Sequence, residues 1–213
     1  MRELLPNIHQ ATTMLKVGPT KVPAAMHIVK SDDEVILIDP FALPESETEA
    51  LEALGKPTLI LIAGENHVRQ SEDYRERYGA KILANREGVP KLGIAVDDTF
   101  GDGETLPGGL TTIGMPGTMA GETIFRLEQG GGVLVVGDAI VNFQPDQRGF
   151  VMRLLGFSSG LGTMPKLFMK DKKLAAASYQ KLLDYDFDQL FVSHGPPILS
   201  GAKVMLRAVL EKQ

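Results

Sequence analysis

The predictions of fold and site start from one stretch, Val133-Leu134-Val135-Val136-Gly137-Asp138-Ala139. Four apolar and mostly β-branched residues lie between glycines, a pattern typical of a buried β-strand. Asp138 follows at the end of that strand. An ionised carboxylate is costly to bury there unless a metal ion, a histidine or backbone N–H groups pair with it. The rest of the sequence must therefore supply a partner for Asp138.

The composition limits what that partner can be. The chain has 213 residues, of which 43% are hydrophobic and 23% charged, an ordinary globular balance, and we expect one domain over residues 1–213. The formal net charge of −5 argues against a nucleic-acid or membrane partner, since such partners need a basic surface. The sequence has no cysteine, so a metal would have to be held by carboxylates, amides, water or the four histidines.

The sequence also carries few signs of targeting. The first residues, Met1-Arg2-Glu3-Leu4-Leu5-Pro6, lack the long apolar core of a signal peptide. No apolar run approaches the roughly 20 residues that a membrane span needs. We therefore expect a cytoplasmic protein.

The order of predicted elements favours a mixed α+β fold. Buried strands over residues 34–38 and 58–62 flank a helix that begins after Pro44. Residues 99–106 and 110–115 predict a hairpin, and residues 143–169, rich in Phe and Met, predict short helical pieces. A helix over residues 172–183 and a last helix capped by Ser200 follow. Mixed sheets with helices on their outer faces fit this order better than an all-parallel sheet.

Three predicted strands end in polar side chains: Asn66-His67, Asp138 and His194. Thr118 lies in a fourth loop of similar design. Loops at one sheet edge commonly form ligand sites, and two imidazoles with a carboxylate suit zinc, iron or manganese. Taken singly, each residue also has a structural interpretation. A lone histidine at a strand end is commonly a structural residue, and Asp138 could accept a hydrogen bond from its own backbone in a turn. A structural role is the favoured interpretation for His9 and His27, which lie inside strand-like segments.

The motif order resembles that of the metallo-β-lactamase superfamily from about Ala24 to the end of the chain. That resemblance implies an αββα four-layer sandwich with one or two metal ions at one edge. The family motif H-x-H-x-D-H falls on Ile62, Gly64, Asn66 and His67, and its P-G-H-T loop appears as Pro116-Gly117-Thr118-Met119. The G-D element is intact as Gly137-Asp138, and the S-H-G element as Ser193-His194-Gly195.

The departures from the family pattern fall together. The resemblance implies that the first metal site has lost its three histidines, at Ile62, Gly64 and Thr118. The second site keeps four ligand positions, which the resemblance assigns to Asn66, His67, Asp138 and His194, with Asn66 in place of the family's aspartate. Since an amide is a poor base, this substitution puts the usual general-base role in doubt.

Two functions remain open from the sequence. One is a hydrolase of a small-molecule substrate that uses one divalent metal ion (zinc, iron or manganese), with Asp138 and His194 as catalytic residues and Glu65 and Thr118 as substrate-binding residues. The other is a non-catalytic binding or interaction protein of the same fold, whose Phe/Met-rich residues 143–169 meet a partner or an apolar ligand. The same residues could instead only pack over the sheet edge or form a homodimer contact, and the sequence leaves open whether any metal ion is bound. A nucleotide-binding interpretation is weak, because Gly130-Gly131-Gly132 precedes the strand instead of following it.

Overall fold

Seven strands form the first sheet in the order in which they occur in the chain. The computed structural model describes residues 1–18, 20–32, 34–147 and 150–212. Strands β1–β4 pair antiparallel, and β4–β7 pair parallel. The strands are β1 (Arg2–Leu5), β2 (Ile8–Val17), β3 (Thr20–Ser31), β4 (Glu34–Ile38), β5 (Pro57–Ile62), β6 (Lys81–Asn85) and β7 (Asp98–Phe100).

Three helices connect the parallel strands, as parallel pairing requires a crossover. They are α1 (Glu45–Leu54), α2 (Ser71–Tyr78) and the short α3 (Val89–Leu92). Glu45 and Glu47 lie in the first turn of α1, where carboxylates interact favourably with the helix dipole. Gly79 ends α2 in the left-handed conformation, a common helix stop.

The second sheet has five strands in the order β14-β11-β10-β9-β8. Only β11 and β14 pair parallel within it. A two-stranded ribbon, β12 and β13, lies beside it, and three helices complete the chain. The elements are β8 (Thr105–Leu106), β9 (Leu110–Gly114), β10 (Thr123–Leu127), β11 (Val133–Val136), β12 (Ile140–Phe143), α4 (Phe150–Leu154), β13 (Gly160–Thr163), α5 (Lys172–Leu182), β14 (Gln189–Val192) and α6 (Ala202–Leu210).

The apolar residues pack as three large clusters between four layers, with a smaller fourth cluster around Phe143. Val133 and Val135 of β11 face the first sheet and pack in the central cluster with Ile36 and Leu61. The alternate residues Leu134 and Val136 face outward and pack against α5 and α6. On the other outer face, Leu51 of α1 and Tyr74 of α2 cover the first sheet. The sandwich is therefore the αββα arrangement that the sequence predicted.

Three local predictions differ from the structure. Within residues 143–169, Phe150–Leu154 form the helix α4, but Gly160–Thr163 form the strand β13, which pairs with β12, instead of a helical piece. Residues 99–106 form two short strands in different sheets, because Gly101, Asp102 and Gly103 turn the chain from the end of β7 towards β8. The last helix has Gly201, not Ser200, at its N-cap, and no side chain caps it. The backbone N–H of Gly201 instead donates to Asp188 Oδ1 at 2.7 Å. None of the helices within the described residues is long and apolar enough to cross a membrane.

Candidate metal centre

The polar strand ends meet at one edge of the sandwich. Strands β4 and β5 run parallel in the first sheet, and β11 and β14 run parallel in the second. Because parallel strands end at the same edge of a sheet, the loops that follow these four strands lie together. Asp39 follows β4, His67 lies in the loop after β5, and Asp138 and His194 follow β11 and β14.

His67, Asp138 and His194 form one cluster with converging ligand atoms. One donor atom from each lies within 4.8 Å of the other two. Asp138 Oδ1 is 3.3 Å from His67 Nε2 and 3.1 Å from His194 Nε2. The two imidazole rings meet edge to face, with centroids 5.6 Å apart. His67 is 1% exposed, whereas Asp138 and His194 are 21% and 14% exposed at the side chain, so the cluster opens to solvent on one side.

Asp39 fixes the orientation of the His67 ring. His67 Nδ1 lies 2.5 Å from Asp39 Oδ2, and both side chains are buried. The other oxygen, Oδ1, accepts from the Ala63 N–H at 2.8 Å, and the Ser193 hydroxyl donates to Oδ2 at 3.3 Å. Burial disfavours a charged imidazole, but Asp39 and Asp138 outweigh that effect and raise the pKa of His67 to about 10. In the absence of a metal ion, His67 is therefore an imidazolium between two carboxylates.

Arg69 supports the same loop from behind. Its side chain is partly buried, and one guanidinium nitrogen donates to the Asp39 carbonyl at 2.9 Å and to the Ala25 carbonyl at 3.0 Å. Both Arg69 and Asp39 have positive φ, 44° and 55°, a conformation that non-glycine residues adopt at a cost. These bonds tie the loop after β5 to β3 and to the end of β4.

His194 is fixed by a backbone acceptor and an aromatic neighbour. Its Nδ1 lies 2.7 Å from the Pro23 carbonyl oxygen, so Nδ1 donates to that oxygen, and Nε2 is turned towards Asp138 Oδ1 at 3.1 Å. The Phe143 ring lies 6.2 Å from the imidazole, centroid to centroid. The sequence predicts His194 in a loop, and the contacts with Pro23 and Phe143 hold its ring in place.

Asn66 donates to Asp138 in this arrangement. Its Nδ2 is 3.2 Å from Asp138 Oδ2 and 3.3 Å from Met119 Sδ. Burial alone would raise the pKa of Asp138, but the charge of His67 and the close contact with His194 lower it well below its usual value. Asp138 is therefore ionised, and Asn66 orients the oxygen that the histidines leave free.

Glu122 is a buried carboxylate that the sequence did not single out. It is 2% exposed, and Oε1 accepts from the Ala139 N–H at 2.7 Å. Within the described part of the chain, no hydrogen-bond partner reaches the buried Oε2. Burial and the nearby Asp138 raise the pKa of Glu122 to about 8. A Cβ atom on Gly64 would lie 2.4 Å from Oε2, so Glu122 fills the space into which a side chain at residue 64 would project.

The positions of the lost histidines offer no ligand. Ile62 is buried in the apolar cluster under α1 and α2, and Gly64 has no side chain. Thr118 is fully buried, and its hydroxyl donates to the Met115 carbonyl at 2.5 Å. Glu65, the other predicted substrate-binding residue, is partly exposed, with Oε2 3.8 Å from Lys170 Nζ. The structure thus brings His67, Asp138, His194 and Asn66 together and leaves Thr118 outside the cluster.

Asp39 and Glu122 were missed as parts of the centre for different reasons. Asp39 ends the buried strand β4 just as Asp138 ends β11, and this shared pattern was a usable signal. Glu122 precedes β10 in a loop with no motif, and only the packing shows its role. The other two histidines lie apart from the cluster, and His27 is a buried residue stacked on Phe191 at 6.1 Å.

Comparisons with known proteins identify the family. A family model described as the metallo-β-lactamase superfamily matches residues 24–154, which is more than half of the chain. The chain belongs to the metallo-β-lactamase superfamily. The match takes in β3 to α4, including Asp39, His67 and Asp138.

Solved structures of this superfamily share the fold at low sequence identity. A metallo-β-lactamase from Pontibacter korlensis is 17% identical with a TM-score of 0.71, covering 100% of this chain and 98% of its own. The family protein TTHA1429 from Thermus thermophilus is 20% identical with a TM-score of 0.67, covering 99% of this chain and 79% of its own. TTHA1623, in a di-iron-bound form, is 20% identical with a TM-score of 0.62, covering 88% of this chain and 94% of its own. No curated protein matches the sequence significantly.

The cluster offers the donor set of a candidate metal centre in this metallo-β-lactamase fold. Two imidazole nitrogens and a carboxylate oxygen suit a transition metal with an open position for water or substrate. The other nitrogen of each histidine is bound by Asp39 or by the Pro23 carbonyl, as the outer shell of a metal site normally requires. His67 Nε2 is buried, and its 3.3 Å contact with Asp138 Oδ1 is a charge contact that lacks hydrogen-bond geometry, so within the described residues this nitrogen has no hydrogen bond. A metal ion at this point would satisfy it.

Proposed function

We propose that the protein is a hydrolase of a small-molecule substrate and depends on a single divalent metal ion bound by His67, Asp138 and His194. The observation that carries the proposal is the convergence of both Nε2 atoms on one Asp138 oxygen, at 3.3 and 3.1 Å. The opposite ring nitrogens are fixed by Asp39 and Pro23. Membership of the superfamily supports metal-dependent hydrolysis as the reaction class.

We infer one ion instead of two from the residues at the first metal site. Ile62, Gly64 and Thr118 supply no ligand there, and the Glu122 carboxylate fills the space beside Gly64. Zinc, iron and manganese all suit the remaining ligands, and the di-iron form of TTHA1623 adds support for iron. A bound ion of this kind polarises the substrate and lowers the pKa of water towards about 7.

The protein's own residues have defined roles in this scheme. Asp39 holds His67 with Nε2 facing the centre, and the Pro23 carbonyl does the same for His194. Asn66 orients Asp138 through its second oxygen. Because Asp138 and His194 are the more exposed members, substrate approaches from their side, past Glu65 and Lys170.

Metal analysis of protein purified without a histidine tag tests the proposal. We expect about one transition-metal ion per chain and at least a tenfold loss of affinity in His194→Ala. His9→Ala is the matched control, because it removes a histidine that lies outside the cluster. The proposal is wrong if the wild type carries no stoichiometric metal and binds added zinc, iron or manganese no better than His194→Ala.

A substrate screen tests the hydrolase part separately. Esters, thioesters, lactones and phosphodiesters cover the bonds that a metal-activated water attacks. We expect turnover of at least one class by the loaded wild type and none by His194→Ala. Stoichiometric metal binding without turnover of any class would favour the non-catalytic alternative.

A further inference from the structure

The segment 150–173 has a charge opposite to that of the whole protein. It contains one acidic residue, Asp171, and five basic residues, whereas the chain has a net charge of −5. The basic residues are Arg153, Lys166, Lys170, Lys172 and Lys173. The prediction of no membrane partner used the net charge of the whole chain. That sum does not show the local excess of cations in this segment.

Three large apolar side chains protrude from the same segment. Phe150, Leu154 and Leu167 are 78%, 76% and 73% exposed. Phe150 and Leu154 are four residues apart on α4 and therefore share a face. Leu154 and Leu167 line one shallow cleft of about 420 Å³ together with Lys166. Lys166 also lines a second cleft with Lys172 and Lys173, so the apolar side chains and the cations adjoin.

The backbone of the segment is held against the domain, so these exposures belong to a fixed surface. Met152, on the opposite face of α4, is 7% exposed and packs with Val22, Val141 and Phe143. Further along, the Lys170 N–H donates to the Thr118 carbonyl at 3.4 Å and the Asp171 N–H donates to the Gly117 carbonyl at 3.0 Å. Contiguous exposed apolar side chains on a folded surface usually mark an interaction site.

We propose that the segment 150–173 docks the protein on the surface of an anionic lipid membrane. Apolar side chains flanked by Lys and Arg are the pattern by which peripheral proteins enter the headgroup region of a bilayer. A second copy of the chain fits less well, because a two-fold contact would place the five cations of one copy against those of the other. An acidic protein partner also fits less well, because these side chains project outward and do not line a deep groove.

The docking surface borders the candidate metal centre. The Phe157 ring lies 5.6 Å from the Phe143 ring, which in turn lies 6.2 Å from the His194 ring, centroid to centroid. Lys170 Nζ is 3.8 Å from Glu65, which precedes Asn66 and His67. Docking would thus hold the open side of the centre near the bilayer. The docking itself rests on this surface alone and does not require the proposed hydrolase activity.

Vesicle co-sedimentation of the full chain tests the proposal. We expect binding to vesicles of phosphatidylcholine mixed with phosphatidylglycerol, little binding to phosphatidylcholine alone, and release at high salt. Since one cation near an anionic membrane changes the partition coefficient about fivefold, Lys172→Gln with Lys173→Gln should lower it about 25-fold. Phe150→Ser with Leu154→Ser should weaken binding at every salt concentration.

Matched controls come from exposed residues outside the segment. Lys56→Gln with Lys81→Gln removes the same charge, and Val204→Ser removes an apolar side chain that is 73% exposed on α6. Both controls should bind like the wild type, and thermal unfolding checks that every variant is folded.

Several results would overturn the docking proposal. The proposal is wrong if the wild type does not bind the anionic vesicles. It is also wrong if the segment variants bind as well as the controls do. A concentration-dependent dimer in sedimentation velocity that Leu154→Ser abolishes, with no vesicle binding, would assign the surface to a second copy. Binding to polyglutamate but not to vesicles would assign it to an acidic protein. Metal content is unaffected by any of these outcomes, so the proposed metal centre is judged separately.

Discussion

Replacing Asp39 by asparagine should disable the candidate metal centre without touching a metal ligand. The Asp39 carboxylate accepts from the Ala63 N–H at 2.8 Å through Oδ1, and Oδ2 faces His67 Nδ1 at 2.5 Å. In Asp39→Asn, the amide oxygen can keep the bond from Ala63, which turns the amide NH₂ towards His67. The imidazole then has to accept at Nδ1 and carry its proton on Nε2, the atom that faces Asp138.

The expected loss has two parts. Outer-shell variants at metal-binding histidines typically lose about 10–100-fold in metal affinity, and a wrong tautomer places Asp39→Asn at the upper end of that range. In the metal-free protein, the variant breaks a fully buried ion pair, which typically costs about 3–5 kcal/mol in the free energy of unfolding. Asp186→Asn is the control, because Asp186 is 94% exposed in its 3.3 Å pair with Lys203, and exposed pairs contribute at most about 1 kcal/mol.

Both parts are measurable on the same protein. Competition with a chromophoric chelator gives the metal affinity, and urea unfolding in the presence of a strong chelator gives the stability of the metal-free form. A folded Asp39→Asn that binds metal as tightly as the wild type would show that Asp39 does not set the His67 tautomer. A stability loss no larger than that of Asp186→Asn would refute the ion pair.

Two further predictions concern the same edge of the sandwich. The metal-free protein should be most stable between about pH 4.5 and 6.5, measured by urea unfolding over a pH series. Above that range the folded state holds protons more tightly than the unfolded chain, because the pKa of Glu122 is raised to about 8 and that of His67 to about 10, so stability falls as pH rises. Burial lowers the pKa of His27 to about 4, so the contribution of His27 to stability decreases as the pH falls from 6.5 to 4. Between pH 4.5 and 6.5 this change cancels the opposite change that Glu122 makes, so stability stays level there. A stability maximum above pH 8 would contradict the assignment. Separately, Gly64→Ala should destabilise the protein by about 1–3 kcal/mol, because its Cβ would lie 2.4 Å from Glu122 Oε2; Glu122→Ala in the same chain should recover part of that loss, and strict additivity of the two changes would contradict the clash.

The sequence by itself determined the layers of the fold. In β11, Val133 and Val135 pack between the sheets while Leu134 and Val136 pack under helices, and a strand covered on both faces must be apolar at every position. That burial pattern is local, so it can be read from consecutive residues. The same holds for the strand ends at His67, Asp138 and His194, since a polar residue after an apolar run is visible in the sequence.

Only the tertiary structure decided how the residues of the centre work together. Asp39 and His67 are 28 positions apart and Ser193 and Asp39 are 154 apart, and nothing local in the sequence specifies that these side chains meet. Glu122 could not be identified for the same reason, because its role is to fill the space above Gly64 and to bond the backbone at Ala139. Asp138, the carboxylate for which the sequence had to supply a partner, lies between two histidines because strands of both sheets end at one edge. That convergence is set by strand order and packing between the sheets, which become definite only when the whole chain has folded.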